Sequence, residues 1–402
     1  MYDAIVVGAR CAGSPTAMLL ARRGHRVLLV DRATFPSDVP RAHFVQPAGV
    51  ARLHRWGLLD RVRASGCPHV TTWTVGGGLL TGTPPPAEGG VVGGYAPRRL
   101  VLDDILVRAA AEAGAEVREG FAVQEVVTDG ERVTGVRGRA AGGVTVTEQA
   151  RIVIGADGMR SLVARTVEAP SYDVRPSVSC AYFTYWSDVP TRGVEVNDGA
   201  GSGVIAVGTN GSLTLCYATW PGDRFPAVRA DIDAAFLAAV DRVPDLAERV
   251  RAGRRAERWY GAAEQPNFFR KAYGPGWALV GDAGYHKDAL LAQGITDAFR
   301  DAELLAEAID AGLGGRRPLD EAMADYERRR NEAARPLYDL NYERARLRPP
   351  PPEALRLYAA LEGNQEQIDR LVGVPAGTVP AAEFFAPANV ARILAAAATG
   401  AR

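Results

Sequence analysis

The sequence is poor in the residues that mark several large classes of protein. Only four cysteines occur, Cys11, Cys67, Cys180 and Cys216, with no C-x-x-C spacing and no His/Cys cluster. A disulfide framework and a metal site therefore find no support. Lysine is rarer still: Lys271 and Lys287 are the whole complement, and the other 45 of the 47 basic residues are arginine. Basic and acidic residues balance at 47 each, whereas a general nucleic-acid binder carries a basic excess. No apolar run approaches the ~18 residues that a membrane span needs. The N-terminus has no basic segment leading into an apolar one, because residue 4 already opens a strand pattern. No internal repeat is evident. These absences lead to the expectation of a cytoplasmic protein, monomeric or homodimeric, with a small-molecule substrate and neither nucleic acid nor membrane as partner.

What is present is ordinary globular material, 47% hydrophobic and 23% charged over 402 residues. At about 100–200 residues per domain this predicts two or three domains. Ala4-Ile5-Val6-Val7 reads as a buried parallel strand running into Gly8-Ala9-Arg10-Cys11-Ala12-Gly13. Ser14 to Arg23 has helical spacing and stops at Gly24, and Arg26 to Val30 is a second strand ending on Asp31. A βαβ unit with a glycine turn can hold a pyrophosphate on backbone N–H groups and a helix N-terminus. Asp31 lies 18 residues after Gly13, near the ~20 expected of an acid that binds a ribose hydroxyl. Arg10 stands where G-x-G-x-x-G has its second glycine, so a βαβ turn without a nucleotide is the alternative.

The rest of the chain alternates between two textures. Residues 99–120 read as a helix stopped by Gly114 and then a strand. A hairpin turns at Asp129-Gly130, a third strand follows at Val144 to Thr147, and a buried strand returns at Arg151 to Ile154 ahead of Gly155-Ala156-Asp157-Gly158. Residues 171–265 carry Tyr/Phe/Val/Thr strands with one helix near 230–250, which suggests an antiparallel sheet. Trp277 to Val280 is a further buried strand before Gly281-Asp282, and a strong helical pattern starts at Ile295. Residues 320–347 are helical and Arg-rich, and Pro349 to Pro352 forms a stiff linker to a helical tail.

Three glycine/acid elements, at 8–31, 155–165 and 276–298, occur in this order. Together they resemble the FAD-dependent monooxygenases with the para-hydroxybenzoate hydroxylase fold, and the related flavin reductases of the geranylgeranyl reductase type. The resemblance covers roughly residues 1–335. It implies an α/β fold: a Rossmann-like FAD domain with an inserted β-meander (1–70, 98–170, 266–335), a mostly antiparallel substrate sheet (71–97, 171–265) and a helical tail (336–402). It implies non-covalent FAD, with NAD(P)H as a transient electron donor that has no Rossmann domain of its own. Gly8, Gly13, Asp31, Arg32, Arg41, Arg99, Asp157, Gly281, Asp282, Gln293, Gly294 and Ile295 are then the cofactor-binding candidates. In the family the Asp of Gly281-Asp282 binds the flavin ribityl chain. The helix opened by Gln293-Gly294 stands beside the flavin, where its positive end favours the negative charge of the reduced ring. For any one arginine in so Arg-rich a chain, a solvated role is the alternative. The family has Pro at Ala289, Gly at Ala292 and Arg at Ala164, where Arg165 comes one position later. The first departure suggests a looser flavin loop, and the second reads as a small change.

A flavin carries its own redox chemistry, so no nucleophilic triad is needed. His43 and His286 are the candidates for a proton relay, since histidine titrates near neutrality. An ordinary hydrogen-bonded or exposed histidine is the alternative for each. Gln46, Tyr182, Tyr185, Tyr217 and Trp220 are candidates for contacting substrate, against a plain core role for the aromatics. Tyr285, Lys287 and Asp288 join His286 as residues of the flavin-facing loop. The expected function is an NAD(P)H-dependent FAD monooxygenase that hydroxylates or epoxidises an aromatic or polyketide-like molecule of secondary metabolism. The alternatives are a flavin reductase of isoprenoid double bonds and a non-catalytic FAD-binding protein. The W-x-W-x-I-P signature of flavin halogenases is absent, and Trp186 to Pro190 only loosely echoes it.

Overall fold

The structure, a computed structural model, describes residues 1–400 except Pro40, Ala42 and Gly77. The apolar run near the N-terminus forms β1 (Tyr2–Val7), and α1 (Gly13–Ala21) and β2 (Val27–Val30) complete the expected βαβ unit. β2 is buried throughout, as a parallel strand covered on both faces requires. α2 (Pro47–Arg55) follows, with Pro47 in the first turn where its missing N–H costs nothing. The hairpin of β3 (Trp73–Val75) and β4 (Leu80–Gly82) leaves this region. α3 (Arg99–Glu112) and β5 (Glu116–Arg118) return to it.

β6 (Ala122–Asp129), β7 (Arg132–Arg139) and β8 (Thr145–Gly155) form the expected meander, with one correction. The sequence suggests two strands between 144 and 154, and the chain makes a single one. Thr145–Gln149 pair antiparallel with β7, while Ala150–Gly155 pair in parallel with β1. The change of texture marks where one strand passes from a half-exposed ribbon into a covered sheet.

After α4 (Leu162–Thr166) the chain builds the second sheet from β9 (Ser179–Ser187), β10 (Val194–Gly199), β11 (Ser202–Thr209) and β12 (Leu213–Pro221). Their order is β9-β12-β11-β10, continued by β3 and β4. One face is covered by α5 (Phe225–Ala230), α6 (Ile232–Val240) and α7 (Pro244–Ala252), where the sequence suggested one helix. The Asp231 side chain caps α6 and Pro244 opens α7, and these punctuation points divide the run.

β13 (Asn267–Arg270) leads back, and β14 (Trp277–Leu279) completes the parallel order β14-β8-β1-β2-β5 of the nucleotide sheet. Ala4, Val6, Leu29 and Ile154 face the helices on one side, while Ile5, Leu28 and Val153 face the meander on the other. β15 (Tyr285–His286) pairs with β13, and the long α8 (Gly294–Leu313) and α9 (Leu319–Ala345) follow. α9 runs unbroken through position 336, the expected edge of the tail. The tail proper is α10 (Pro352–Leu361), α11 (Gln365–Ala376) and α12 (Pro387–Gly400). It packs Leu357, Leu361, Ile368 and Leu371 around Leu80 of β4. Among the described residues no helix is long and apolar enough to cross a membrane.

Candidate active site

The glycine turn after β1 is tight because it must be. A Cβ on Gly13 would stand 1.7 Å from the Gly8 carbonyl oxygen, and Gly8 itself sits at φ 105°. The turn is held from the next strand by Asp31, whose carboxylate accepts the N–H groups of Ala9 and Ala33, each at 2.8 Å. α1 starts without a side-chain cap, and the buried Ser14 Oγ in its first turn has no partner among the described residues. Arg32 and Arg41 are both exposed.

The structure accounts for Arg10. Its guanidinium swings away from the turn onto the fully buried Asp103 at 2.6 Å, with Ser37 and the Phe35 ring beside it. Asp103 also receives three hydrogen bonds from Arg99 at 3.0–3.1 Å and the Cys11 thiol at 3.3 Å. The buried Asp103 carboxylate thus has a guanidinium on each side, Arg99 buried and Arg10 partly exposed, and removing either partner of such a pair is costly. The side chain that breaks the motif is therefore committed elsewhere and leaves the backbone clear. Arg99 lies within electrostatic reach of Asp282. In the second element one oxygen of Asp157 accepts the Leu162 and Val163 N–H groups of α4, while its buried Oδ1 has no partner among the described residues.

Gly281, at φ 60°, brings the third element against the first: an added Cβ would meet the Ala12 Cβ at 2.8 Å. Asp282 is half-buried, with no side-chain hydrogen bond among the described residues. The segment from 285 to 293 is braced by residues from several other elements. Asp288 N–H donates to Asn267, and its carboxyl takes the Ser179 hydroxyl and the Leu290 N–H. Burial pushes the Asp288 carboxyl up, against the pull of those two bonds. Asn341 of α9 bonds both the Asp288 carbonyl and the Leu291 N–H, and Gln46 Nε2 donates to the Leu291 carbonyl at 3.1 Å. Gln293 Nε2 donates to the carbonyl of Pro375 in the tail at 3.0 Å.

This bracing corrects the expected looseness at Ala289. Its N–H donates to Gln265 Oε1 at 3.0 Å, a bond that proline cannot make. Ala289→Pro is expected to lose about 1–3 kcal/mol, because it leaves a buried acceptor unpaired. Faster hydrogen exchange over residues 285–293 is the readout, and slower exchange would show that the missing proline had been a real deficit. The departure at 292 is larger than the sequence suggests, since Ala292 holds a left-handed conformation, φ 49° and ψ 47°. Ala292→Gly should relieve about 1 kcal/mol of that strain, to be read as a higher melting temperature; a lower one would contradict it.

The strand alternation divides the four aromatic substrate candidates. Tyr185 and Tyr217 share a face with Phe44, Phe183 and Ala292, the face turned toward the flavin loop. Tyr182 and Trp220 lie on the opposite face, packed beneath α5–α7 with Phe236 and Val240. Those two are core residues, and the single wall of four is corrected to one of Tyr185 and Tyr217. Gln265, which the sequence reading missed, donates from Nε2 to Ser179 Oγ and Tyr217 OH, at 2.8 and 3.3 Å. Val372 of α11 joins the same cluster, so the tail closes over this face.

The two histidines do not work together. His43 is buried and shares a 2.8 Å hydrogen bond with Tyr185 OH. Arg98 stacks on the Tyr185 ring at 4.2 Å and pairs with Glu257 and Asp38. Burial, reinforced by Arg99 and Arg98, pushes the His43 imidazole down to about 3. It stays neutral near pH 7, so the expectation of a relay titrating there is corrected. The unfolded chain takes up this proton near pH 6.5 and the folded one only near 3. Stability should therefore fall as pH drops from about 6.5 toward 3. His43→Gln, by denaturant melts across that range, should flatten the fall; an unchanged slope would contradict the assignment. His286, half-buried, stacks on Phe268 and bonds the Pro266 carbonyl through Nδ1 at 2.5 Å, which fixes β15 to β13.

These residues fit FAD. Buried polar atoms are nearly always paired. Here Ser14 Oγ, Asp157 Oδ1 and Gln293 Oε1 are buried without partners among the described residues, on the segments that resemblance assigns to the cofactor, as is Oε1 of the substrate candidate Gln46. With the close-packed glycine turn and the uncapped α1, they define a dinucleotide-binding flavoprotein. The chain belongs to the FAD binding domain family, whose pattern matches residues 1–341, and is thus a flavin-dependent oxidoreductase. It is 31% identical over 338 residues to the menaquinone reductase of Mycobacterium tuberculosis, covering 77% of this chain and 76% of that one. It is 28% identical over 352 residues to the 6-methylpretetramide 4-monooxygenase of Streptomyces rimosus, covering 83% and 81%. In fold it is similar to the myxobacterial chondrochloren halogenase CndH, with TM-score 0.78 at 24% identity over 99% of this chain and 97% of that one. The last likeness extends through the tail.

Proposed function

We propose that the chain is an NAD(P)H-dependent FAD monooxygenase that hydroxylates or epoxidises an aromatic or polyketide-like small molecule, in secondary metabolism. The carrying observation is the sheet face of Phe44, Phe183, Tyr185 and Tyr217, which sets polar atoms into an aromatic surface. Flat apolar walls with a few fixed polar groups suit a ring bearing oxygen substituents. Bound FAD supplies electron transfer from NAD(P)H and the activation of oxygen. Gly8, Gly13 and the first turn of α1 hold its pyrophosphate, Asp31 the ribose, and Asp282 the ribityl chain. Gln46, Gln293 and the start of α8 line its flavin end. His43, neutral, orients the Tyr185 hydroxyl, and Gln265 does the same for Tyr217. Gln265 Oε1 accepts from Ala289, so its Nε2 must donate to Tyr217 OH, and the phenol proton is left to point elsewhere. The α11 segment keeps water from this face.

The likeness to a menaquinone reductase favours a second reading, a flavin reductase, for which the resemblance to geranylgeranyl reductases suggests an isoprenoid double bond as substrate. NAD(P)H oxidation and oxygen uptake, measured against a panel of phenols, aromatic polyketides and prenylated quinones, separates the two. Coupled oxygen uptake with a phenol or polyketide supports the monooxygenase. Substrate reduction without oxygen supports the reductase, and tight FAD with no turnover supports a carrier.

A further inference from the structure

Behind the flavin loop lies a chain of buried charges that neither the glycine motifs nor the aromatic face accounts for. Lys287 Nζ is 2.5 Å from Asp297 Oδ2 in the first turn of α8. Asp297 Oδ1 accepts from Arg300 at 2.9 Å, and Arg300 also donates to Asp301 Oδ1 at 2.7 Å. Asp301 Oδ2 is buried with no partner among the described residues. Arg330 of α9, fully buried, bonds the carbonyls of Gly284 and Arg270 and the Tyr172 hydroxyl. Along this run of contacts, among the described residues, Lys287, Arg300 and Arg330 stand against Asp297 and Asp301, while the buried Asp288 next to Lys287 is bonded instead to Ser179 and Leu290.

Lysine at this position is itself informative. The chain spends arginine on 45 of its 47 basic positions, and the other lysine, Lys271, is a surface residue 3.7 Å from Glu327. Lys287 is buried against the Tyr285 ring, 5.3 Å from its centre. Lysine presents there a compact point charge, where arginine would present a larger, planar fork. Burial lowers the Lys287 ammonium, and the charge and hydrogen bond of Asp297 oppose that shift. A surface pair would be worth little, but charges in the interior are weakly screened and act beyond their contacts.

We infer that Lys287 is a positioning residue for the FAD: it ties the flavin loop to α8 and leaves excess positive charge behind the flavin end of the site. The uncapped start of α8 adds its own partial positive charge on the same side. Lys287 does not need to touch the ring, and its field favours the electron-rich, reduced form over the oxidised one. This holds for the monooxygenase and the reductase readings alike, because both need the same cofactor reduced.

The test uses the FAD-loaded full-length protein and two readouts besides turnover. The first is the flavin reduction potential against a reference dye. The second is the dissociation constant of sulfite, which adds reversibly to oxidised flavin and places negative charge on the ring. Lys287→Met should keep stoichiometric FAD, shift the potential to a more negative value and weaken sulfite about tenfold. Asp297→Asn removes a negative charge from the same pair, and should move both readouts the other way. Lys287→Arg keeps the charge and should restore the potential, even if repacking around Tyr285 lowers the melting temperature. If Lys287→Met does not fold, the direction of the Asp297→Asn shift decides alone. Unchanged potentials and sulfite affinities in FAD-loaded variants would overturn the inference. Shifts of the same sign in Lys287→Met and Asp297→Asn would also overturn it, since they would reveal a merely structural pair.

Discussion

Gly13→Ala protein is expected to purify without its yellow colour. The new Cβ has no direction to yield in, because at 1.7 Å from the Gly8 oxygen it meets backbone and not a flexible side chain. To relieve the overlap, α1 must slide away from β1, and the first-turn N–H groups of α1 move with it. Those N–H groups are what a pyrophosphate would bind. FAD affinity should drop on the order of 100-fold, equivalent to about 2.8 kcal/mol. Titration of the apoprotein with FAD reads it, with circular dichroism as the control for folding. Wild-type affinity in a folded variant would place the cofactor elsewhere.

Asp103→Leu carries the second large effect, and it acts on stability. Asp103 is the shared anion of Arg10 and Arg99, and Arg99 is itself buried. Removing the carboxylate leaves that guanidinium without its counter-charge, and breaking such a pair costs about 3–5 kcal/mol. Urea unfolding of the FAD-free protein should show this loss. A loss below about 1 kcal/mol would mean that Arg99 finds solvent or another acceptor at little cost. Adding FAD to the variant tests whether Arg99 then turns to the cofactor.

Much of the fold was legible because it is built from local pattern. The apolar runs at 4–7, 27–30, 151–154 and 277–280 are the four central strands, and β1 with α1 and β2 follows from residues adjacent in sequence. Glycine/acid elements are legible for the same reason: each is a contiguous turn with its own chemistry. What could not be read depends on pairing across long separations. Nothing near Arg10 announces Asp103, 93 residues away, so the broken motif looked like a weakness. Ala289 looked like a missing proline because Gln265 and Asn267, which hold that loop, carry no signal of their partners. Strand alternation could have separated Tyr182 from Tyr185, which lie three residues apart along one strand. It could not tell which face would meet the flavin loop. The tail gave no hint that Pro375 would receive Gln293 or that Val372 would close the aromatic face.

The most direct test of the proposed chemistry is the mass of the product formed under ¹⁸O-labelled oxygen. The assay needs purified holoenzyme, NAD(P)H and the first substrate of the panel to be consumed. A monooxygenase built on this site places one labelled oxygen atom in the product, coupled to one NAD(P)H oxidised. A product that carries no label, gains two hydrogens and forms equally well without oxygen would contradict it and establish the reductase.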